Sequence, residues 1–287
     1  MSTMRFRTEY EPEKRPEIGR ASRWLLLGSC FSDEIGSRLE RDGFACVHNP
    51  LGPLYNPLST ARTVADALAD RIYTVADLAD GPRGHHCLDY ASRYSGTDPQ
   101  TVAEVVNADL RKVKTFFAEP GERVLAITFG TVFTFYRRGV AVGNCHKFPA
   151  GEFERRPLAL AEIVGAWQPI IDRLSSDIRI VFTVSPIRHL ADGLHGNALS
   201  KATLLLAVDA LVAANRCRCD YFPAFEILND DLRDYRFYAS DMKHPSEIAA
   251  DYIYQKFCDT YFSAATLDYA LASRRDAARS AHRQILP

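Results

Sequence analysis

Trp24, Leu25, Leu26 and Leu27 form an unbroken apolar run that stops at Gly28, and a helix-type pattern begins directly after it. A run with no polar alternation suits a strand covered on both faces. In SDEIGSRLERDG, Ile35 and Leu39 lie four apart, Ser32 is a candidate N-cap, and Asp33 and Glu34 fall in the first turn, where negative charge suits the helix's positive end. Strand, tight turn and helix in that order point to an α/β chain whose first turn opens at the carboxyl end of a central strand.

Three more apolar runs repeat the theme. VLAITFG, IRIVFTVSP and CRCDYFPAFEIL read as strands, and FACV as a shorter one. The helical segments between them are TARTVADALADRIY with the shorter TVADLAD, VAEVVNADLRKVKTFFAE, LALAEIVGAWQPIIDRL and LSKATLLLAVDALVAAN, and EIAADYIYQKFCDTYF follows the last strand. The broad apolar face of the fourth predicts packing directly on the sheet. TVFTFYRRGVAVGNCHKF reads as a hairpin insertion turning at Arg137, Arg138 and Gly139, and residues 81–98 as an irregular excursion. Alternating strands and helices predict a mostly parallel sheet with helices on both faces. No repeat or low-complexity linker divides the chain. The expected organisation is an extended lead-in over 1–20, one domain over 21–262, and a C-terminal helix or tail over 263–287.

Composition narrows the function. Hydrophobic residues make up 47% and charged residues 25% of 287, the balance of a globular chain that can fill one large core. With 35 basic and 36 acidic residues the net charge is -1, so no nucleic-acid partner is expected. The basic end at Arg274, Arg275, Arg279 and Arg283 reads as a solvated tail or last helix. The N-terminus lacks the pattern of a secretory signal, and no run is read as a membrane span, so a cytoplasmic protein without a membrane partner is expected. Seven irregularly spaced cysteines fit reduced thiols, and Cys217 and Cys219 fit packing in a strand better than zinc binding. His85 and His86 lie in the irregular excursion and are candidates to line a cap, with no carboxylate at persuasive metal-ligand spacing. With no phosphate loop or dinucleotide fingerprint either, neither a metal nor a cofactor is expected.

Ligands of an open parallel sheet gather beyond the carboxyl ends of its strands. Gly28-Ser29-Cys30 lies there, and a thiol before a helix sits near its positive end. The alternative is a packed Cys30 beside a capping Ser29. In DMKHPS, Asp241 lies three residues before His244, close enough to fix an imidazole tautomer while the other ring nitrogen faces a nucleophile. In GNCHK, Asn144 can donate to a developing oxyanion, and His146 and Lys147 can meet an anionic part of a substrate or be a solvated pair. Gly130 permits close backbone approach or serves a turn. Ser185, Arg188 and His189 in TVSPIRH form a candidate pocket wall, with Arg188 suited to a carboxylate, a phosphate or a structural ion pair.

GSCFSDEIG, NPLGPLYNP, FGTVF, GNCHK, TVSPIRH, NALSKATLLLA and YFPAFEILNDDLRDYRFYASDMKHPS together resemble the signature stretches of the GSCFA-domain family, which is similar to the SGNH, or GDSL-like, hydrolases. That resemblance implies a three-layer, flavodoxin-like sandwich of the SGNH-hydrolase type, with loop or hairpin insertions, and esterase, lipase or carbohydrate deacetylase activity. In the GDS block of those enzymes the serine stands two places after the glycine. Here Cys30 holds that place and Ser29 the aspartate's, so Cys30 is the nucleophile by register and Ser29 its rival. Asp241 and His244 match the final Asp-x-x-His block. Gly52 matches the oxyanion glycine, and Asn144 stands in for the usual asparagine, although it arrives only after the hairpin. The resulting expectation is an acyl ester hydrolase or deacetylase for a small-molecule or acylated carbohydrate substrate. Acyl transfer, or amide or thioester cleavage, at the same site is the alternative, and a non-catalytic binding protein the further one. A homodimer through the amphipathic C-terminal region is compatible with the sequence.

Overall fold

A computed structural model describes residues 8–82 and 84–283. Five parallel strands form the central sheet: β1 (Arg23–Gly28), β2 (Ala45–His48), β6 (Arg123–Phe129), β10 (Ile178–Val184) and β11 (Cys219–Tyr221), in spatial order β11-β10-β6-β1-β2. Between them in the chain run α1 (Cys30–Arg41), α2 (Pro57–Leu68), the short strands β3 (Ala79–Gly81), β4 (Gly84–His86) and β5 (Ser95–Gly96), and α3 (Pro99–Ala118). After β6 come β7 (Phe133–Arg137), β8 (Val140–Val142), β9 (Glu154–Pro157) and α4 (Leu160–Arg173), then α5 (Gly193–Ala214) between β10 and β11. The single turn α6 (Ala224–Glu226), α7 (Glu247–Tyr261) and α8 (Ala264–Arg283) complete the order.

The period of two along β1 separates two cores. Leu25 and Leu27 join Leu125, Ile127, Phe129 and Phe182 beneath α2, α3, α4 and α5. Trp24 and Leu26 join Val124, Ala126 and Val181 beneath α1, α7 and α8. Helices thus cover both faces of the sheet, an α/β arrangement broadly of three layers. On the second face Trp24 lies among Phe44, Phe257 and Phe262, with ring centroids 6.3, 5.7 and 6.3 Å away. Truncating a ring so enclosed costs about 3–5 kcal/mol.

Several sequence expectations change. Helix α1 starts at Cys30 with Ser29, not Ser32, as its cap, because the Ser29 hydroxyl accepts the Phe31 N–H at 3.3 Å. The excursion over 81–98 contributes strands to a small antiparallel sheet, β3-β4-β5. The hairpin β7-β8 gains β9 as a third strand, and its turn places Arg138 and Gly139 at φ 52° and 78°. The helical stretch expected to reach residue 79 stops at Leu68, with one 3-10 turn at Val75–Asp77.

The lead-in is tied down where it is described: Ile18 is fully buried and pairs with Phe262 in a parallel bridge. Residues 1–7 of that segment and 284–287 of the tail lie outside the described residues. The basic end is not wholly solvated, since Arg274 donates to the buried Asp42 carboxylate at 2.5 Å. Cys217 is exposed in the turn before β11, Cys219 is buried within it, and all seven cysteines are free thiols. One segment, Leu190–Ala214, is long and apolar enough by length and composition to cross a membrane, which the sequence reading did not recognise. In the structure its Leu204, Ala207, Val208 and Leu211 belong to the first core, while Leu194, Leu199 and Leu206 are exposed.

Candidate functional site

The strand order reverses at β1, whose neighbour β6 ends beside it. This crevice at the carboxyl ends of parallel strands is where open α/β sheets hold ligands. Here β1 turns abruptly. Gly28 has φ 136°, and a Cβ at that position would lie 2.1 Å from the Thr128 carbonyl oxygen, so only glycine fits. The turn is held by Asn49, itself left-handed at φ 37°. Its Oδ1 accepts the Gly28 N–H at 2.9 Å, and its Nδ2 donates to the Ser29 carbonyl at 3.1 Å and to Asp33 Oδ2 at 3.0 Å. Asn49 is the first residue of the NPLGPLYNP block, where its sequence neighbours give no sign of this task.

Ser29 and Cys30 diverge at this turn. Ser29 is completely buried with its hydroxyl on the helix cap. Cys30 points outward, and its Sγ lies 3.6 Å from His244 Nε2. The other ring nitrogen, Nδ1, is 2.5 Å from Asp241 Oδ2. Burial pushes the Cys30 thiol up to about 11, opposed by its own N–H at the start of α1 and reinforced by Asp33 and Glu34. The resting group is therefore a thiol that needs a base.

The histidine loop organises itself. Asp241 Oδ1 accepts the N–H groups of His244 and Lys243 at 3.0 and 2.9 Å, which, with the bond to the ring, hold the carboxyl well below the usual carboxylate range. Met242 takes φ 58° to make the turn, Ala239 N–H donates to the His244 carbonyl, and Tyr238 bridges Pro245. Ser246 then caps α7. The His244 and Asp241 side chains are 47% and 43% exposed, so solvent reaches both.

Other expected residues are arranged differently. The Gly52 N–H donates to the Asn49 carbonyl at 2.8 Å, and the glycine's open side is filled by Ala91. The Asn144 carboxamide oxygen accepts the His146 N–H at 2.8 Å and its backbone N–H donates to Leu88; none of these bonds reaches Cys30. His146 is a buried residue of the insertion, its Nε2 3.0 Å from the Tyr90 carbonyl and its ring against His86. Burial lowers its pKa. Lys147 is exposed in the same insertion. His85 pairs with Asp80 at 2.7 Å.

At the end of β10, the Ser185 side chain is buried and accepts the Ile187 N–H at 3.3 Å. Arg188 lies 4.0 Å from the Tyr238 ring, and its N–H donates to the Lys243 carbonyl, tying this loop to the histidine loop. Gly130 abuts the site: its N–H donates to the Tyr55 carbonyl, and a Cβ there would meet Tyr55 O, His189 Nε2 and Ser29 Cβ. The His189 ring stands edge-on to Tyr55.

Beneath these residues lies a buried lysine whose role the sequence alone does not reveal. Lys201 is 2% exposed and donates to the carbonyls of Gly130 and Ser185, both at 2.7 Å. Burial lowers its pKa to about 7. Its chemical signal was available as a lone cation in the apolar helix sequence ALSKATLLLA. Two clefts, of about 780 and 670 Å³, lie elsewhere, the first beside Arg62, Asp89 and Arg138 and the second between α7 and α8. Among the described residues no three His, Cys, Asp or Glu side chains gather in a way that could hold a metal ion.

The sequence profile of the GSCFA family matches residues 23–257. No curated protein matches the chain significantly. Among solved structures, a carbohydrate esterase family 3 protein from Talaromyces cellulolyticus superposes with a TM-score of 0.40 and 7% identity, over 83% of this chain and 94% of that one.

Proposed function

The chain belongs to the GSCFA family, and we propose that it is an acyl ester hydrolase or deacetylase of the SGNH-like type, acting through an acyl-enzyme on Cys30. The strand order β2-β1-β6-β10-β11 is that of flavodoxin-like sheets, which supports the finer fold assignment. What carries the functional reading is the relay from Cys30 Sγ to His244 Nε2 and from His244 Nδ1 to Asp241, at 3.6 and 2.5 Å.

His244 takes the Cys30 proton as the sulfur adds to the acyl carbonyl, and Asp241 fixes the ring so that Nε2 faces the sulfur. The Cys30 N–H, first in α1 and without a carbonyl ahead of it, faces the developing oxyanion. Collapse releases the alcohol, which receives the proton from His244. Water, deprotonated by the same nitrogen, then cleaves the thioester and restores the thiol. The exposure of His244 gives water its access. Small acyl esters and acylated carbohydrates are the substrate class. The sulfur nucleophile favours one second reading, transfer of the acyl group to an amine or sugar hydroxyl, because a thioester passes readily to such acceptors.

Brief exposure to activated acyl esters and thioesters, followed by intact-protein mass spectrometry and peptide mapping, tests the assignment. An acyl group on Cys30 that disappears in His244→Ala is the expected result, with Ser29→Ala still labelled. An adduct on Ser29, or none in the wild type across the series, would overturn it. Product analysis with added acceptors separates hydrolysis from transfer.

A further inference from the structure

An oxyanion in an acyl-transfer site is stabilised by more than one donor, and most backbone donors around Cys30 already have partners. The N–H groups of Gly130 and Thr131 both donate to the Tyr55 carbonyl, that of Gly28 to Asn49, and that of Gly52 to the Asn49 carbonyl. One side-chain nitrogen beside the site has none. His189 Nε2 is buried without a hydrogen-bond partner, and it lies near the nucleophile turn: a Cβ built on Gly130 would be 3.2 Å from Nε2 and 3.4 Å from Ser29 Cβ. We propose that His189 is a further catalytic residue, whose Nε2–H donates to the oxyanion formed when Cys30 adds to the acyl carbonyl.

The surroundings suit that task. The His189 backbone N–H is anchored on Asn197 Oδ1 at 2.9 Å, and the ring is set edge-on against Tyr55, so the imidazole is positioned before any ligand arrives. Gly130 keeps the gap between the ring and the nucleophile turn clear of a side chain. Burial first, then the charges of Lys201, His244 and Arg155, hold the His189 pKa down to about 4. At neutral pH it is a neutral donor that leaves base chemistry to His244, as an oxyanion group should be. No proton leaves His189 in the step: Nε2–H donates while the carbonyl oxygen carries charge and is released when the carbonyl re-forms.

This assignment rests on the acyl-transfer reading above, and two reactions of the same sulfur separate the two. p-Nitrophenyl acetate acylates Cys30 through an oxyanion, whereas iodoacetamide alkylates it without one. His189→Phe is expected to slow Cys30 acetylation by about 10²-fold or more while alkylation stays within about twofold, and His189→Gln, which retains an N–H donor, to recover part of the loss. Acetylation of Cys30 at the wild-type rate in His189→Phe overturns the role of His189 alone. So does a parallel fall of acetylation and alkylation in both variants, which would place His189 in the packing of the turn. Absence of any Cys30 acetylation in the wild type overturns both the acyl-transfer reading and this one.

Discussion

The nucleophile turn and the histidine loop face one another, yet they are built on opposite plans. Gly28, Ser29 and Asn49 are buried and cross-linked to residues from separate strands and helices, so the position of Cys30 is a property of the whole sheet. His244 and Asp241 stand half-exposed on a loop whose bonds run mostly among residues 237–246. The contrast teaches that placing a sulfur requires tertiary structure, whereas orienting an imidazole can be done by a short turn with one well-placed carboxylate. Substitutions should therefore separate stability from activity according to the side of the site they touch.

The largest separation is expected for His244→Ala. Acyl-enzyme formation should fall by about 10²–10⁴-fold, the range for losing a general base, while the urea midpoint moves by less than about 0.5 kcal/mol equivalent, as at an exposed position. A cooperative loss of stability in that variant would break the comparison. Asn49→Ala should do the reverse, leaving the buried Gly28 N–H without its acceptor while the Ser29 carbonyl keeps only the Ser32 N–H, at a cost of about 1–3 kcal/mol in chemical denaturation. An unchanged midpoint would show that the turn is held by something else.

Asp241→Asn sharpens the loop's half of the contrast. The amide can still accept the backbone N–H groups of Lys243 and His244, but its NH₂ opposes the ring N–H at Nδ1, so acylation should drop by up to about 10⁴-fold with thermal stability retained, read by the same mass-spectrometric assay beside a melting curve. The smallest effect concerns the floor beneath the turn. Lys201 has a folded-state pKa of about 7, below its ordinary 10.5. Between those values the unfolded chain holds a proton that the folded chain has released, so this group makes stability rise with pH across that window and is fully destabilising below it. Urea unfolding at pH 7, 8 and 9 should show wild type gaining on Lys201→Met by up to about 1.4 kcal/mol per pH unit. A constant offset would mean that the ammonium stays charged on its two carbonyls.

These two regions were unequally legible in the sequence. DMKHPS carries its geometry locally, because three residues separate Asp241 from His244 and the turn between them is short. The strand runs VLAITF and IRIVFTV were readable for a similar reason, since continuous apolar stretches leave few alternatives. Asn49 was not readable, because its task is to clasp a turn twenty residues earlier, and an asparagine before proline looks like any loop residue. For Gly52 and Asn144 the limit is the same: a glycine or asparagine in a loop signals a turn, while the direction of its N–H depends on which strand arrives beside it. Cys30 against Ser29 was undecidable from GSC alone. Helix α1 starting at Cys30 turns the serine inward as cap and leaves the thiol outside.

The bridge between Ile18 and Phe262 joins residues from opposite ends of the described chain, and Thr266 Oγ1 adds a contact of 3.4 Å to the Ile18 carbonyl. During synthesis, which delivers the N-terminus first, β1 can emerge long before the segment that closes over its beginning. The pocket around Ile18 stays incomplete until α7 and the first turn of α8 have left the ribosome. A nascent chain halted before residue 262 would carry this stretch uncovered, and protease sensitivity near Ile18 would report whether the last helices have docked.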